Sequence, residues 1–336
     1  MSGRVRPGWC RPRLISEPGS PKASVVVMTL NAGSGFGELL SRLFSQKADF
    51  GYEVLVIDSG STDATVELAR RHGASIHRIT RDEFDHGATR NLGASLSRGR
   101  YVAFVVQDAL PVDDGWLAAM VENLDKDGTV AGVYGRQIPR PESSPLTRAL
   151  MDDWPTSGLE RREQFAGDPG SYRALSPVTR RTLATFDNVS SCVRRSVWES
   201  FSFERTSFGE DVRWGKKVVE AGYKLVYEPR SAVLHSHERG ALYDLRRYYA
   251  DGLVVKELFG LVPTPNLARL LLNVLLSSAH LYFRLIRDGK IVAPRFLLLA
   301  MRYALCSQAG AYLAARGFRA GPRLSSRLNE FLLKGL

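Results

Sequence analysis

The 336-residue sequence predicts an α/β protein with a mostly parallel sheet, followed by a helical, basic C-terminal region. Three observations predict it. Short runs rich in Val, Ile and Leu alternate with helical segments over residues 23–106, the pattern of βαβ units. Two of these runs end in polar clusters, at the carboxyl strand ends where open α/β sheets bind ligands. The net charge of +11 is uneven: residues 1–240 carry +2 and residues 241–336 carry +9.

The first strand is the β-branched run Ala23–Leu30, continuous enough to be buried on both faces. A helix over Gly35–Gln46 follows, with Phe36, Leu39, Leu40 and Leu43 on one stripe. A second strand at Glu53–Ile57 leads through a turn to a helix at Thr62–His72, and Ala74–Ile79 is a third strand. A helix over Gly87–Leu96 precedes the fourth strand, Tyr101–Val106. Gly128–Ile138 reads as a strand. Pro139–Thr182 is irregular and rich in Pro, Ser, Arg and Gly, as expected of a substrate-binding region or lid. Strand character returns at Phe186–Val193, Phe208–Ala221 is helical, and Tyr223–Leu234 reads as two short strands around Glu228-Pro229. Helices are expected over Leu242–Phe259, Leu267–Ile286 and Val292–Ala315. The domain division is residues 1–22 as a flexible lead-in, 23–240 as the α/β domain, and 241–336 as the helical region.

Composition removes several classes. With 44% apolar and 24% charged residues, neither disorder nor a fibre is expected. Cys10, Cys192 and Cys306 are few and widely spaced, so they form no disulfide framework or CxxC metal pattern and suit a reducing compartment. The basic, Pro-rich N-terminus has no apolar run and does not read as a secretory signal.

The second strand ends in Asp58-Ser59-Gly60-Ser61-Thr62-Asp63. Asp58 is placed to accept hydrogen bonds from a base or ribose, although the same residues also make a capped βα turn. The fourth strand ends in Gln107-Asp108, where an acid can hold Mg²⁺ or Mn²⁺ against a diphosphate or merely sit in a turn. Arg90 and Asn91 fall at a helix start, where Arg suits phosphate and Asn a base or sugar. Glu210 and Asp211 open a helix, which favours acids for electrostatic reasons alone, yet one of them facing a cleft can deprotonate a hydroxyl. His235 and His237, two apart on an extended run, can point to one side.

In this order the segments SVVVMTLN, EVLVIDSGSTD, HGATRNLGASLSRGRYVAFVVQDALP and FGEDVRWGKKVVEAGYKLVYEPRSAVLHSHE resemble the family 2 inverting glycosyltransferases of GT-A fold, over about residues 23–247. The QDALP, FGED and HSH segments look most like the bacterial rhamnosyltransferase branch, whose donor is dTDP-L-rhamnose. The resemblance implies that Thr29, Asn31 and Asp58 line the nucleotide pocket, with Arg90 and Asn91 beside it. It implies Asp108 as the last acid of a DxD metal motif, His235 as the histidine closing the site, and Asp211 as the general base. Gln107, Glu210, Trp214 and His237 flank these positions as further candidates for donor or acceptor contacts. The DxD is degenerate, since Val106 and Gln107 precede Asp108, so one carboxylate remains for the Mg²⁺ or Mn²⁺.

The longest uncharged windows of the C-terminal region are Leu270–Phe283 and Tyr303–Ala315, too short to cross a bilayer on this reading. Apolar stripes punctuated by Arg suit helices lying on an anionic membrane surface, with mutual packing or a homo-oligomer interface as the other reading. The Arg246-Arg247-Tyr248-Tyr249 segment is also a candidate for the acceptor cleft. The expectation is therefore an inverting glycosyltransferase on the inner face of the cytoplasmic membrane. It moves a sugar from a nucleotide-diphospho-sugar, dTDP-L-rhamnose favoured over UDP- and GDP-sugars, to a saccharide or polyprenyl-diphosphate-linked acceptor. A nucleic-acid partner is not expected, because no recognised binding module accompanies the charge. A non-catalytic protein of the same fold is the reading that the degenerate DxD would favour.

Overall fold

The computed structural model describes residues 20–206, 208–287, 294–316 and 329–333, so most of the expected lead-in lies outside the described residues. The strands are β1 (Ala23–Thr29), β2 (Tyr52–Asp58), β3 (Ser75–Arg78), β4 (Tyr101–Val106), β5 (Leu110–Pro111), β6 (Val130–Ile138), β7 (Arg162–Gln164), β8 (Ser190–Arg194) and β9 (Lys224–Leu234). The helices are α1 (Phe36–Phe44), α2 (Thr65–Arg71), α3 (His86–Leu96), α4 (Trp116–Lys126), α5 (Pro145–Met151), α6 (Pro169–Ala174) and α7 (Pro177–Leu183). They continue with α8 (Arg195–Ser200), α9 (Glu210–Glu220), α10 (Ala241–Phe259), α11 (Leu267–Arg287) and α12 (Pro294–Arg316).

One sheet runs in the order β3-β2-β1-β4-β8-β6-β9-β5, with β7 on β9. β3, β2, β1 and β4 are mutually parallel, and so are β6 and β9; β8 lies antiparallel between the two groups. The parallel strands place the residues after β1, β2 and β4 along one sheet edge, and those after β6 and β9 beside them. Apolar clusters cover both faces. One centres on Val25, Leu39, Leu40, Ala103 and Trp116, the other on Val26, Phe104, Tyr134 and Trp214.

Three expectations change. Residues 139–182 hold α5, β7, α6 and α7. Each of these helices opens on a capping side chain followed by proline: Ser144 accepts from Thr147 N, Asp168 from Gly170 N and Ser171 N, and Ser176 from Thr179 N. Ser or Asp before Pro is a helix-start signal repeated three times in the sequence, too locally written to show as hydrophobic periodicity. Residues 224–234 form one strand rather than two. Pro229 has no N–H for the ladder, so the chain bulges between the Gly135–Glu228 and Arg136–Ala232 pairs and then resumes pairing. The bulge closes onto Gly135, where a Cβ would lie 2.1 Å from Ser231 O. Finally, α12 has a mean hydropathy of 1.2 over an 18-residue window and is by length and composition long enough to cross a membrane, 28% of that window being buried. Arg302 shortens its uncharged run without lowering the mean below that level.

The C-terminal helices pack on one another through small residues. Gly310 meets Leu245 O and Tyr249 N so closely that a Cβ would lie 2.3 Å from the first. Gly252 faces Ala314, and Ala300 joins Leu281 and Leu285 in a cluster with Leu146 and Ala149 of α5. Arg213 Nη1 donates to Glu257 at 2.8 Å, which ties α9 to α10.

The start of α3 sits against the backbone of residues 204–205. A Cβ on Gly87 would lie 1.8 Å from Glu204 O, with no side chain to rotate away. Gly87→Ala is therefore expected to destabilise the fold by ~2 kcal/mol or more in denaturant unfolding. Gly128→Ala, which meets nothing within 4 Å, should stay within ~0.5 kcal/mol of the parent.

Candidate active site

At the ends of β1 and β2, Thr29, Asn31 and Asp58 form one hydrogen-bonded corner. The Asp58 carboxylate is fully buried; Oδ1 accepts from Thr29 Oγ1 at 3.2 Å, and Oδ2 from Gly60 N at 3.2 Å and Ser61 N at 3.1 Å. Gly60 takes a φ of +95°, which the tight turn requires. Asn31, at φ +46°, accepts on Oδ1 from Thr62 N at 2.8 Å and donates its own N–H to Ser61 Oγ at 2.8 Å. Gln107 does not line the cleft. Its amide pairs both ways with the Leu30 backbone, at 2.8 and 3.3 Å, and so fastens the end of β4 to the end of β1.

Beside this corner a cleft of about 450 Å³ opens over the ends of β4, β6, β8 and β9. On one side stand Asp108, His235 and His237. His235 Nε2 is 3.8 Å from Asp108 Oδ1, and His237 Nε2 is 3.4 Å from Asp108 Oδ2. One ligand atom from each of the three lies within 4.8 Å of the others, a spacing that could hold a metal ion. His235 Nδ1 meets Gln137 Oε1 at 2.9 Å, while Gln137 Nε2 donates to Asp187 Oδ2 at 2.7 Å. Since Gln137 spends its N–H on Asp187, its oxygen is left to accept from His235 Nδ1–H. The lone pair of His235 then sits on Nε2, facing Asp108. Burial pushes His235 down to about 4 and His237 below its usual range, so both imidazoles are neutral at pH 7. A carboxylate with two neutral imidazoles fits a first-row divalent ion such as Mn²⁺ better than Mg²⁺, which prefers oxygen throughout. His237 stands where it could offer a further ligand beside the single carboxylate of the degenerate DxD.

On the other side stand the acids of β8 and α9. Glu210 and Arg90 form a buried ion pair at 2.8 Å, and Arg90 Nη1 also donates to His86 O. Burial acts to raise Glu210, but the charges of Arg90 and His86 and a hydrogen bond from Asn188 outweigh it and hold the carboxyl low. Asp211 has no such cation. Burial, with the neighbouring carboxylates of Glu210 and Asp187, pushes it up to about 7. Burial likewise raises Asp187, which accepts from Val189 N at 2.8 Å.

Three sequence-predicted contacts have other work. Arg90 lines the cleft but its charge is spent on Glu210, so it is not a free phosphate ligand. Asn91 is fully engaged away from the cleft: Nδ2 donates to Phe203 O, and Oδ1 accepts from Trp198 Nε1 and Phe203 N. It clamps the segment against which Gly87 packs. Trp214 is fully buried among Phe186 and Phe203, with its indole N–H on Phe201 O, and touches neither side of the cleft. Gln137, Asp187, Asn188 and Trp154 also line the cleft or position its groups, and sequence reading missed them, whereas Arg247, which lines it too, belongs to the segment expected at the acceptor cleft. Gln137 had a usable signal: it ends a strand parallel to the one that delivers His235.

Comparison with known proteins gives the family and the fold. The family model described as Glycosyl transferase family 2 matches residues 24–181. The O-antigen chain rhamnosyltransferase RfbN of Salmonella typhimurium is 30% identical over 238 residues, covering 69% of this chain and 72% of that protein. WbaN of Salmonella anatum, an O-antigen chain rhamnosyltransferase, is 29% identical over the same shares. In fold, the chain is similar to the mannosyltransferase PcManGT from Pyrobaculum calidifontis, solved with GDP-Man and Mn²⁺. The TM-score is 0.51 and the identity 21%, covering 92% of this chain and 78% of that one. With these motifs, this α/β fold and these relatives, the chain belongs to glycosyl transferase family 2, a family of glycosyltransferases.

Proposed function

We propose that the chain is an inverting rhamnosyltransferase, taking L-rhamnose from dTDP-L-rhamnose to a saccharide acceptor carried on a lipid in bacterial surface polysaccharide synthesis. The observation that carries the reading is the cleft itself. A carboxyl tuned to about 7, Asp211, shares it with the Asp108–His235–His237 group, in a chain whose relatives are O-antigen rhamnosyltransferases. Asp211 takes the proton of the acceptor hydroxyl. The oxygen attacks the anomeric carbon from the face opposite the leaving group, and the bond from that carbon to the diphosphate oxygen breaks. One displacement inverts the anomeric centre. Glu210, held ionised by Arg90, keeps Asp211 basic enough to accept a proton near neutral pH. Asp108, His235 and His237 would hold the metal, which when bound supplies positive charge to the departing diphosphate. The nucleoside meets the Thr29–Asn31–Asp58 corner at the exposed Asn31, behind which the buried Thr29 and Asp58 hold the turn.

In this reading residues 23–240 are the catalytic domain and residues 241–336 the region that meets membrane and acceptor. Its excess of +9 and the outward leucines of α11 (Leu271, Leu275 and Leu276 are each more than half exposed) support an anionic membrane surface on the cytoplasmic face.

Calorimetry with dTDP, UDP and GDP in Mn²⁺ should favour dTDP; equal or absent dTDP binding would remove the rhamnose assignment. Asp211→Asn should lower kcat by ~10²-fold or more with nucleotide affinity kept. In the parent enzyme kcat/KM should rise about tenfold per pH unit below about 7 and level off above it, because the base must be deprotonated. Gln137→Leu frees the His235 tautomer and should weaken Mn²⁺ binding by ~10–100-fold, read by electron paramagnetic resonance of the free ion.

A further inference from the structure

A second cavity, about 360 Å³, lies between α5, the segment after β9, α10 and α12. It shares His235, His237, Arg239 and Arg247 with the catalytic cleft, so the two chambers meet at the metal-binding side. One wall is apolar: Leu146, Leu150, Met151 and Leu299. The other carries Arg239, Arg247 and Arg302.

These arginines are held unlike the others nearby. Arg90, Arg213 and Arg284 each pair with a carboxylate. Among the described residues, Arg239, Arg247 and Arg302 have no ion pair. Arg239 lies over the rings of Trp154 and Tyr243, at 5.4 and 5.1 Å, and Arg247 over Phe208 at 4.8 Å. The Arg302 Nε–H is buried with no hydrogen-bond partner, as are those of Arg90, Arg213 and Arg284, so what sets Arg302 apart is the missing ion pair. Ring faces orient a guanidinium while leaving its N–H fork free. Three partly buried cations without counterions are costly unless an anion joins them. The acids on this chamber do not supply it. Glu238 is occupied by Ser144 N at 2.7 Å; Asp244 is near enough for the charges of Arg302 and Arg239 to oppose the effect of its burial but forms no ion pair with either among the described residues, and Asp251 pairs with none of the three.

A planar fork matches phosphate oxygens bidentately. The facing leucines and methionine ask for hydrocarbon on the same ligand. We propose that this chamber is the acceptor subsite. In it Arg239, Arg247 and Arg302 bind the diphosphate of a prenyl-diphosphate-linked saccharide, and Leu150, Met151 and Leu299 take its first isoprene units. The assignment rests on reading the cleft as a glycosyltransferase site. It places the acceptor's diphosphate on the far side of His237 from the nucleotide corner, so that the attached sugar reaches towards Asp211.

Farnesyl diphosphate, inorganic diphosphate and farnesol serve as probes, titrated by calorimetry into the full chain with and without dTDP and Mn²⁺. Farnesyl diphosphate should bind alongside dTDP, at least tenfold more tightly than either fragment. Arg302→Met, which lies outside the catalytic cleft, should weaken it about tenfold or more while dTDP affinity stays unchanged, and Arg239→Met, which borders both chambers, should weaken farnesyl diphosphate more than dTDP. Leu150→Gln should weaken farnesyl diphosphate and leave inorganic diphosphate unaffected. Thermal unfolding checks that each variant is folded, and the three variants lie on different elements, so one misfolded variant leaves the others as tests. Competition between farnesyl diphosphate and dTDP would overturn the proposal by giving the arginines to the donor. Equal affinity for farnesyl and inorganic diphosphate would overturn it by leaving a free-anion site, and no binding of farnesyl diphosphate would overturn it outright. Loss of dTDP binding in the parent protein, with farnesyl diphosphate still bound, would instead count against the transferase reading.

Discussion

The buried ion pair between Arg90 on α3 and Glu210 on α9 is the constraint around which the cleft is organised. Three carboxyls, Asp187, Glu210 and Asp211, converge there in a dry environment. Three ionised carboxylates in such a place would repel one another strongly. Arg90 neutralises one, and the remaining tension appears as the raised Asp211. A buried pair of this kind adds little net stability, since both ions lose their water, but removing one partner leaves an uncompensated charge. The sequence surrounds the pair with fixtures. Gly87 lets α3 approach residues 204–205, Asn91 clamps Phe203, and the left-handed Gly209 starts α9 at the angle that faces Glu210 inward.

The metal-binding side depends on strand order. β6 and β9 run parallel, so Gln137 and His235 leave the sheet side by side. The amide of Gln137 then joins the acid side of the cleft, through Asp187, to the metal side, through His235. In the proposed reaction, proton removal and charge neutralisation are in this way connected by one side chain. The bulge at Pro229–Ser231 contributes as well. It absorbs three residues without ending the strand, so the histidines arrive opposite Asp108.

The arginines around the C-terminal helices divide into two kinds. Arg213 and Arg284 face acids across element boundaries and dock α9 to α10 and α11 to α5, with Arg284 Nη2 3.2 Å from Asp152 and Nη1 on Asp153. Arg239, Arg247 and Arg302 face a cavity without ion-pair partners among the described residues. Net charge in the sequence sums both kinds and cannot separate them, because pairing depends on which acids the fold brings near.

Much of this was legible in the residues alone. Three of the four parallel strands of the first half, β1, β2 and β4, are apolar runs buried on both faces, and burial on both faces writes a continuous signal; β3, at the sheet edge, is short and half-exposed. Asp108, Asp211 and His235, which punctuate strand and helix ends in a recognisable order, come together along one cleft, whereas Asp58 is buried in the turn beside it. The capped prolines of α5, α6 and α7 were present in the sequence too, in a local code of Ser or Asp before Pro that periodicity does not detect. What only the tertiary structure decided are relations between distant segments. They include the spending of Arg90 on Glu210, the retreat of Asn91 and Trp214 into structural roles, the placing of His237 beside Asp108, and the bridge made by Gln137. Residue type sets what a side chain can do, and the chain's own order sets which strand end it occupies. Whether its hydrogen bonds and charge remain available depends on partners up to about a hundred residues away, and only the folded packing brings those into reach.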